Sequence, residues 1–275
     1  LQESAEMTSN AIDIQSEIFK GSDRYAQLPN VMSSQPKEIT LGNMLSHYAE
    51  IGADELDRLS EVDIKSMELK RNQKLYSLCQ GRAEIFVIQK GWVSLCHSFK
   101  NRGQDICNVY MPGDIVGLRE SFFDNHDITI IGLQDCQLGK VSVNEIHDLF
   151  KESADVERAI VSYIMVNDNI TIERLRSCTH HKAEERVAHF LLEIYARYNF
   201  KKMIDSNVFS FPITQEVVGE LLGITSVHVS RCMTALEQKK LIRKSRSAIK
   251  LLEPELLAEY TGFDENMIYG HIDLG

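Results

Sequence analysis

The chain has 275 residues, a formal net charge of −10, 43% hydrophobic and 25% charged residues. These proportions fit a globular protein with a sizeable core, the length favours two domains with tails, and no apolar run reaches the roughly 18 residues of a membrane span. Six cysteines (Cys79, Cys96, Cys107, Cys136, Cys178, Cys232) include no C-x-x-C pair, which fits a reducing cytoplasm and speaks against a disulfide framework or a four-cysteine metal site.

Residues 1–40 are polar and aperiodic and show no export signal, so they read as an N-terminal tail. A first domain is predicted over 41–153. Its entrance carries apolar residues three and four apart from Leu41 to Leu59, the pattern of two short helices. Then "AEIFVIQKGWVSLCHS" reads as two strands around Gly91, "DICNVYMPGDIVG" as a strand entering a turn at Pro112–Gly113, and "ITIIGLQDCQLGKVS" as strands broken at Gly132 and Gly139. Short strands at this spacing predict an antiparallel sandwich or barrel. No glycine-rich phosphate loop precedes a helix here.

Helical periodicity returns with "VNEIHDLF" and a long helix, assigned to 154–178. Val156, Ile160, Tyr163, Asn167, Ile170, Arg174 and Ser177 fall on one stripe at spacings of four and three, the seam of a helix pair. Ile160, Tyr163, Asn167, Ile170 and Arg174 are therefore expected at a self-pairing interface, with Asn167 fixing register; the other reading is that the stripe packs on its own domain.

A third segment, 179–252, begins with an amphipathic helix that turns Val187, Phe190, Leu191 and Ile194 inward, and residues 253–275 follow as an extension. Within it, "ITQEVVGELLGITSVHVSRCMTALEQKKLI" has the spacing of a helix-turn-helix. Gly219 is small where two helices approach, Gly223 suits a left-handed turn, Val229 is apolar on the buried face, and Thr225 can cap the second helix. The opposite face presents Ser226, Val227, Ser230 and Arg231. Arg231 suits guanine O6 and N7, Ser230 either kind of base edge, and Val227 a thymine methyl. "LIRKSRSAIKLL" reads as a hairpin wing with Arg243, Lys244 and Arg246 placed for phosphates. From Thr225 to Lys250 the local balance is +6, leaving −16 for the remainder, so an acidic chain still carries a compact basic module.

These motifs, in this order over about residues 41–252, resemble the Crp/Fnr family of bacterial transcription regulators, through "VIQKGWV", "MPGDIVGL" and the helix-turn-helix stretch. The resemblance implies an α+β fold: an N-terminal antiparallel β-roll like a cyclic-nucleotide-binding domain, a long dimerisation helix and a C-terminal winged helix-turn-helix. It also implies a homodimer on a palindromic promoter site in double-stranded DNA, with RNA polymerase as a further partner. No nucleophile–base or paired-carboxylate constellation stands out, so no catalytic residues are expected, and with no apolar span no membrane association is expected.

The departures from the family pattern carry information too. Cyclic-AMP-responsive members have Glu after the glycine that Gly117 matches, and an Arg-Ser or Arg-Thr pair about ten residues later. Here those positions hold Leu118 and Ile128–Thr129, so a cyclic phosphate loses its guanidinium partner and cyclic AMP is not expected as effector. The first 78 residues contain no cysteine, against an iron–sulfur sensor of the oxygen-responsive kind. Val227 replaces the usual recognition-helix Glu, which removes an acceptor for cytosine N4. Cys232 beside Arg231, and Cys178 with His180 and His181, have the chemistry of redox or metal positions but read as plain packing, and no cofactor or metal is expected. The competing class is a ligand- or redox-responsive regulator acting through protein contacts, its basic module docked on an acidic partner.

Overall fold

The structure, a computed structural model, describes residues 40–77, 84–99, 103–123 and 128–274; the expectation for the N-terminal tail lies outside them. Two short helices, α1 (Leu41–Leu45) and α2 (Ala53–Glu61), lead into eight strands. β1 (Ile64–Leu69), β8 (Cys136–Val141), β3 (Ile85–Lys90) and β6 (Ile115–Val116) form one sheet in that order. β2 (Lys74–Ser77), β7 (Ile128–Gly132), β4 (Val93–Phe99) and β5 (Gly103–Tyr110) form the other, and every pairing in both is antiparallel.

Strand β3 shows why the two layers stack. Alternate side chains leave a strand on opposite faces, so Phe86 and Ile88 enter the core between the sheets with Leu69, Val93, Ile130 and Leu138. Ile85 and Val87 face the other way, onto helices, among Leu41, Leu45, Ile146, Val156 and Ile160. A strand buried on both faces reads as the continuous apolar run seen in the sequence.

Helix α3 (Val143–Glu152) follows, then α4 (Ala154–His180), capped by the Ser153 hydroxyl accepting from Val156 N at 3.3 Å. Only His181 and Lys182, both extended, separate α4 from α5 (Ala183–Phe200). Beyond α5 lie β9 (Val208–Ser210), α6 (Gln215–Leu222), α7 (Ser226–Gln238), β10 (Ile242–Lys244), β11 (Ala248–Leu251), α8 (Pro254–Thr261) and α9 (Asn266–Tyr269). β10, β11 and β9 make a small antiparallel sheet.

Helix α5 seats this C-terminal module on the β-roll. Trp92, Val109 and Met111 of the roll share one core with Val187, Phe190, Leu191, Phe209, Leu222, Val229 and Leu236. Buried ions cross the same junction: Asp114 accepts from Arg197 Nη2 at 2.6 Å and pairs with Lys201, while Arg174 donates to Glu193 at 2.5 and 3.0 Å and to Asn108 at 3.0 Å. The two cations hold the Asp114 carboxyl below its ordinary range against the opposing effect of burial. Lys201 is pushed down to about 8, because burial and the neighbouring Arg197 outweigh the one carboxylate that both cations share.

The residues of the stripe expected at a self-pairing seam make contacts within the chain. Ile160 lies in the helix-covered core of the roll. The Tyr163 hydroxyl accepts from Ile115 N at 2.9 Å and donates to Ile115 O at 2.6 Å. Asn167 donates to Tyr163 O at 2.8 Å, Ile170 packs with Val166 and Ile268, and Arg174 belongs to the buried ions. Helix α4 carries two apolar faces, and this one packs within the chain, on the β-roll at Ile160 and Tyr163 and on Ile268 at Ile170.

Candidate nucleic-acid interface

Helices α6 and α7 meet through a turn built from two glycines. A Cβ on Gly219 would lie 2.6 Å from the Ile224 carbonyl oxygen, so only glycine lets the second helix approach this closely. Gly223 has φ 65° and ψ 33°, the left-handed conformation that ends a helix. Ile224 N donates to Gly219 O at 3.0 Å and Gly223 N to Glu220 O at 3.4 Å, which satisfies carbonyls otherwise orphaned at the end of α6. Two residues later the Thr225 hydroxyl accepts from His228 N at 3.3 Å and starts α7.

The α7 faces separate as the spacing predicts. Val229, Cys232, Met233 and Leu236 are buried with Val218 and Leu222 of α6. Thr225, Val227 and Arg231 are exposed and Ser226 and Ser230 half-buried, all within the first two turns of α7 or at its cap, where the helix dipole favours an anion. Val227 is 58% exposed, an apolar side chain presented to solvent. His228 and Thr234, which sequence reasoning passed over, are also exposed on α7.

The wing follows at once. β10 and β11 pair Arg243 with Lys250 and Lys244 with Ile249, and the turn closes through Ser245 N to Ala248 O at 2.9 Å. Glu237 accepts from Lys244 N at 2.9 Å and so ties the wing to the end of α7. Arg243, Lys244 and Arg246 are exposed. The described geometry is thus an exposed polar helix start beside a basic hairpin, both on one rigid core.

A second feature lies between β-roll and α4: a cavity of about 250 Å³ bounded by His97, Asn108, Tyr110 and Arg119 on the roll side and by Tyr163, Asn167 and Thr171 on the helix. Leu118 and Ile128 point into the two cores of the roll and do not line it. Arg119, not singled out from sequence, brings a guanidinium to the rim, where Glu120 lies 3.4 Å away and Asp168 3.8 Å. Both carboxylates also line the cavity, so its charged groups carry one positive and two negative side chains.

The thiols fit packing. Burial, with the charge of Glu184, pushes the Cys232 thiol up, away from the reactive thiolate. Burial likewise raises Cys178, whose Sγ lies 3.6 Å from the carbonyl oxygen of Leu222. Among the described residues no group of three His, Cys, Asp or Glu side chains is placed to hold a metal.

Comparison with known proteins points the same way for both halves. Residues 66–153 match the cyclic nucleotide-binding domain family and residues 185–260 the Crp-like helix-turn-helix domain family, together more than half of the chain. The transcriptional activator protein Anr of Pseudomonas protegens is 19% identical over 212 residues, covering 77% of this chain and 86% of that relative. The transcriptional regulatory protein btr of Bordetella pertussis is 22% identical over 210 residues, 76% of this chain and 86% of its own length. Among solved structures, FixK2 from Bradyrhizobium japonicum superposes with a TM-score of 0.61 at 19% identity, covering 71% of this chain and 96% of that one. No helix among the described residues is long and apolar enough to cross a membrane.

Proposed function

We propose that this chain, which belongs to the Crp/Fnr family of transcriptional regulators and binds DNA through its helix-turn-helix, works as a homodimer on a palindromic promoter site and without cyclic AMP. The observation that carries the reading is the exposed start of α7 beside the basic wing. Ser230 and Arg231 read base edges in the major groove, Ser226 and Val227 flank them, Thr225 fixes the helix end, and Arg243, Lys244 and Arg246 hold phosphates. With Val227 in place of a carboxylate, the half-site is relaxed or altered at one base.

The dimer uses the free face of α4. Val161, Met165, Asp168, Ile172, Leu175 and Thr179 recur at spacings of four and three, the heptad pattern of a two-helix seam. Ile172 and Leu175 are 59% and 62% exposed, and a second copy of the helix would cover them. Ile172→Asp with Leu175→Asp converts a dimer to a monomer in sedimentation velocity and weakens binding to a two-half-site duplex; a variant that still sediments as the wild-type dimer would place the seam elsewhere.

Against cyclic AMP stand the core positions of Leu118 and Ile128 and the carboxylates that already engage Arg119. A cyclic phosphate entering the cavity would face those two carboxylates as well as the one guanidinium. Isothermal titration of the full chain with cyclic AMP is expected to show no saturable heat, and a micromolar Kd would refute this part. The family's mode of action makes RNA polymerase the second macromolecular partner, in the cytoplasm.

A further inference from the structure

The matched helix-turn-helix family ends at residue 260, and the chain beyond it turns back onto α5 and α4. After the left-handed Gly262, the Phe263 ring packs edge-on against His189 of α5 with centroids 5.1 Å apart. Ile268 is fully buried against Val166 and Ile170 of α4, and its carbonyl accepts from Asn169 Nδ2 at 3.3 Å. Tyr269 stacks on Phe200 at 4.1 Å and 16°, and Phe200 touches Tyr48, which meets Tyr163 edge-on at 5.0 Å.

We propose that residues 263–269 are a strap that fixes the orientation of the DNA-binding module on the long helix. The covalent link between α4 and α5 is only the extended pair His181–Lys182, a hinge about which the module could swing. Ile268 grips α4 at Val166 and Ile170, which at 1.5 Å per residue is about 15–20 Å back along the helix from that hinge. Besides the core shared with the β-roll and the Arg174–Glu193 pair, the module thus grips α4 at a point well back from the hinge, and a swing about the hinge must draw Ile268 out of its site while Tyr269 stays stacked on Phe200 of α5. Because Val227, Arg231 and the wing stay exposed in the strapped state, the strap orients the DNA-binding face and does not cover it.

The consequence for DNA rests on the dimer reading above. Two recognition helices must meet half-sites about 34 Å apart, so a module free to swing spends less time at the correct spacing. The test uses the full chain carrying Ile268→Asp and Tyr269→Ala, with Ile268→Leu as the conservative control and strand exchange in the β-roll as the check on folding. Fluorescence anisotropy is read on duplexes bearing two half-sites and one half-site of the sequence selected by wild type, and hydrogen exchange is followed over 163–171 and 183–200.

Expected for the double variant are exchange at least tenfold faster in those two segments, at least tenfold weaker binding to the two-half-site duplex, and less than a twofold change on the single half-site; Ile268→Leu behaves as wild type. Unchanged exchange would show that the segment holds nothing, and tighter two-half-site binding would make it an inhibitor; either overturns the proposal. Equal weakening on both duplexes, with slow exchange in the roll lost, would mean general unfolding and also overturns it. Wild-type protein indifferent to the second half-site would fail the dimer reading instead, and the exchange result then decides the strap alone.

Discussion

Asp114 is the carboxylate that two buried cations share, and its removal has a magnitude that the geometry sets. In Asp114→Asn the side chain keeps its shape but no longer neutralises Arg197 and Lys201, all three of which are buried. Breaking a buried ion pair from one side costs about 3–5 kcal/mol, because the remaining charge is left uncompensated. Arg197 retains Val109 O at 3.0 Å and Glu193 at 3.7 Å, and Lys201 retains Pro112 O at 3.4 Å, which puts the loss near the low end, about 3 kcal/mol. For a chain of this size that lowers Tm by roughly 6–12 °C. Differential scanning calorimetry of wild type, Asp114→Asn and Asp114→Asn/Lys201→Met checks it. The double variant, having lost one of the stranded cations, regains part of the loss. A single variant melting within about 2 °C of wild type, against the shift worked from the buried pairs, would refute the account of the junction.

Four further outcomes follow from the same contacts. Gly223→Ala meets nothing within 4 Å and pays only for the left-handed backbone, about 1 kcal/mol, whereas Gly219→Ala drives a Cβ against a backbone oxygen and costs more; chemical denaturation should rank them in that order. The Lys201 pKa of about 8 lies below the value of an unfolded lysine, about 10.4, so the unfolded state binds more protons between them and stability rises with pH. Between pH 8 and about 9.5, wild type therefore gains stability relative to Lys201→Met, and parallel pH profiles for the two would contradict this. Val227→Glu restores an acceptor for cytosine N4 and should shift base preference at one half-site position by about 1–3 kcal/mol, read by competition among duplexes. Lys244→Ala should weaken binding to all duplexes alike and reduce the salt slope by about 1, with no change in preferred sequence.

The parts legible in the sequence are those whose cause is local. The turn between α6 and α7 needs glycine at two spacings, and both glycines stand where the geometry requires them. Strands β3 and β4 announce themselves by β-branched and aromatic residues around one glycine. What sequence missed depends on distant partners. Asp114 and Lys201 are 87 positions apart, and nothing in either neighbourhood signals that they pair. Helix α4 has apolar residues on two faces, and periodicity alone cannot say which one the rest of the chain covers; Ile160 and Ile170 are buried while Ile172 and Leu175 are exposed. Ile268 sits in a short polar stretch whose burial becomes visible only once α4 is beside it. Arg119 escaped notice because the family pattern directs attention to its neighbour Leu118, whose side chain turns into the core.

Function, as proposed, rests on sequence-specific reading of DNA by the start of α7. Selection from a randomised duplex pool, run in parallel on wild type and Arg231→Ala at fixed salt, tests this most directly. Wild type should enrich one two-fold-related motif; Arg231→Ala should keep measurable DNA binding while losing preference at one base of each half-site, by the roughly 1–3 kcal/mol of a bidentate contact. A wild-type pool without an enriched motif, or an Arg231→Ala pool with the wild-type motif intact, would contradict it.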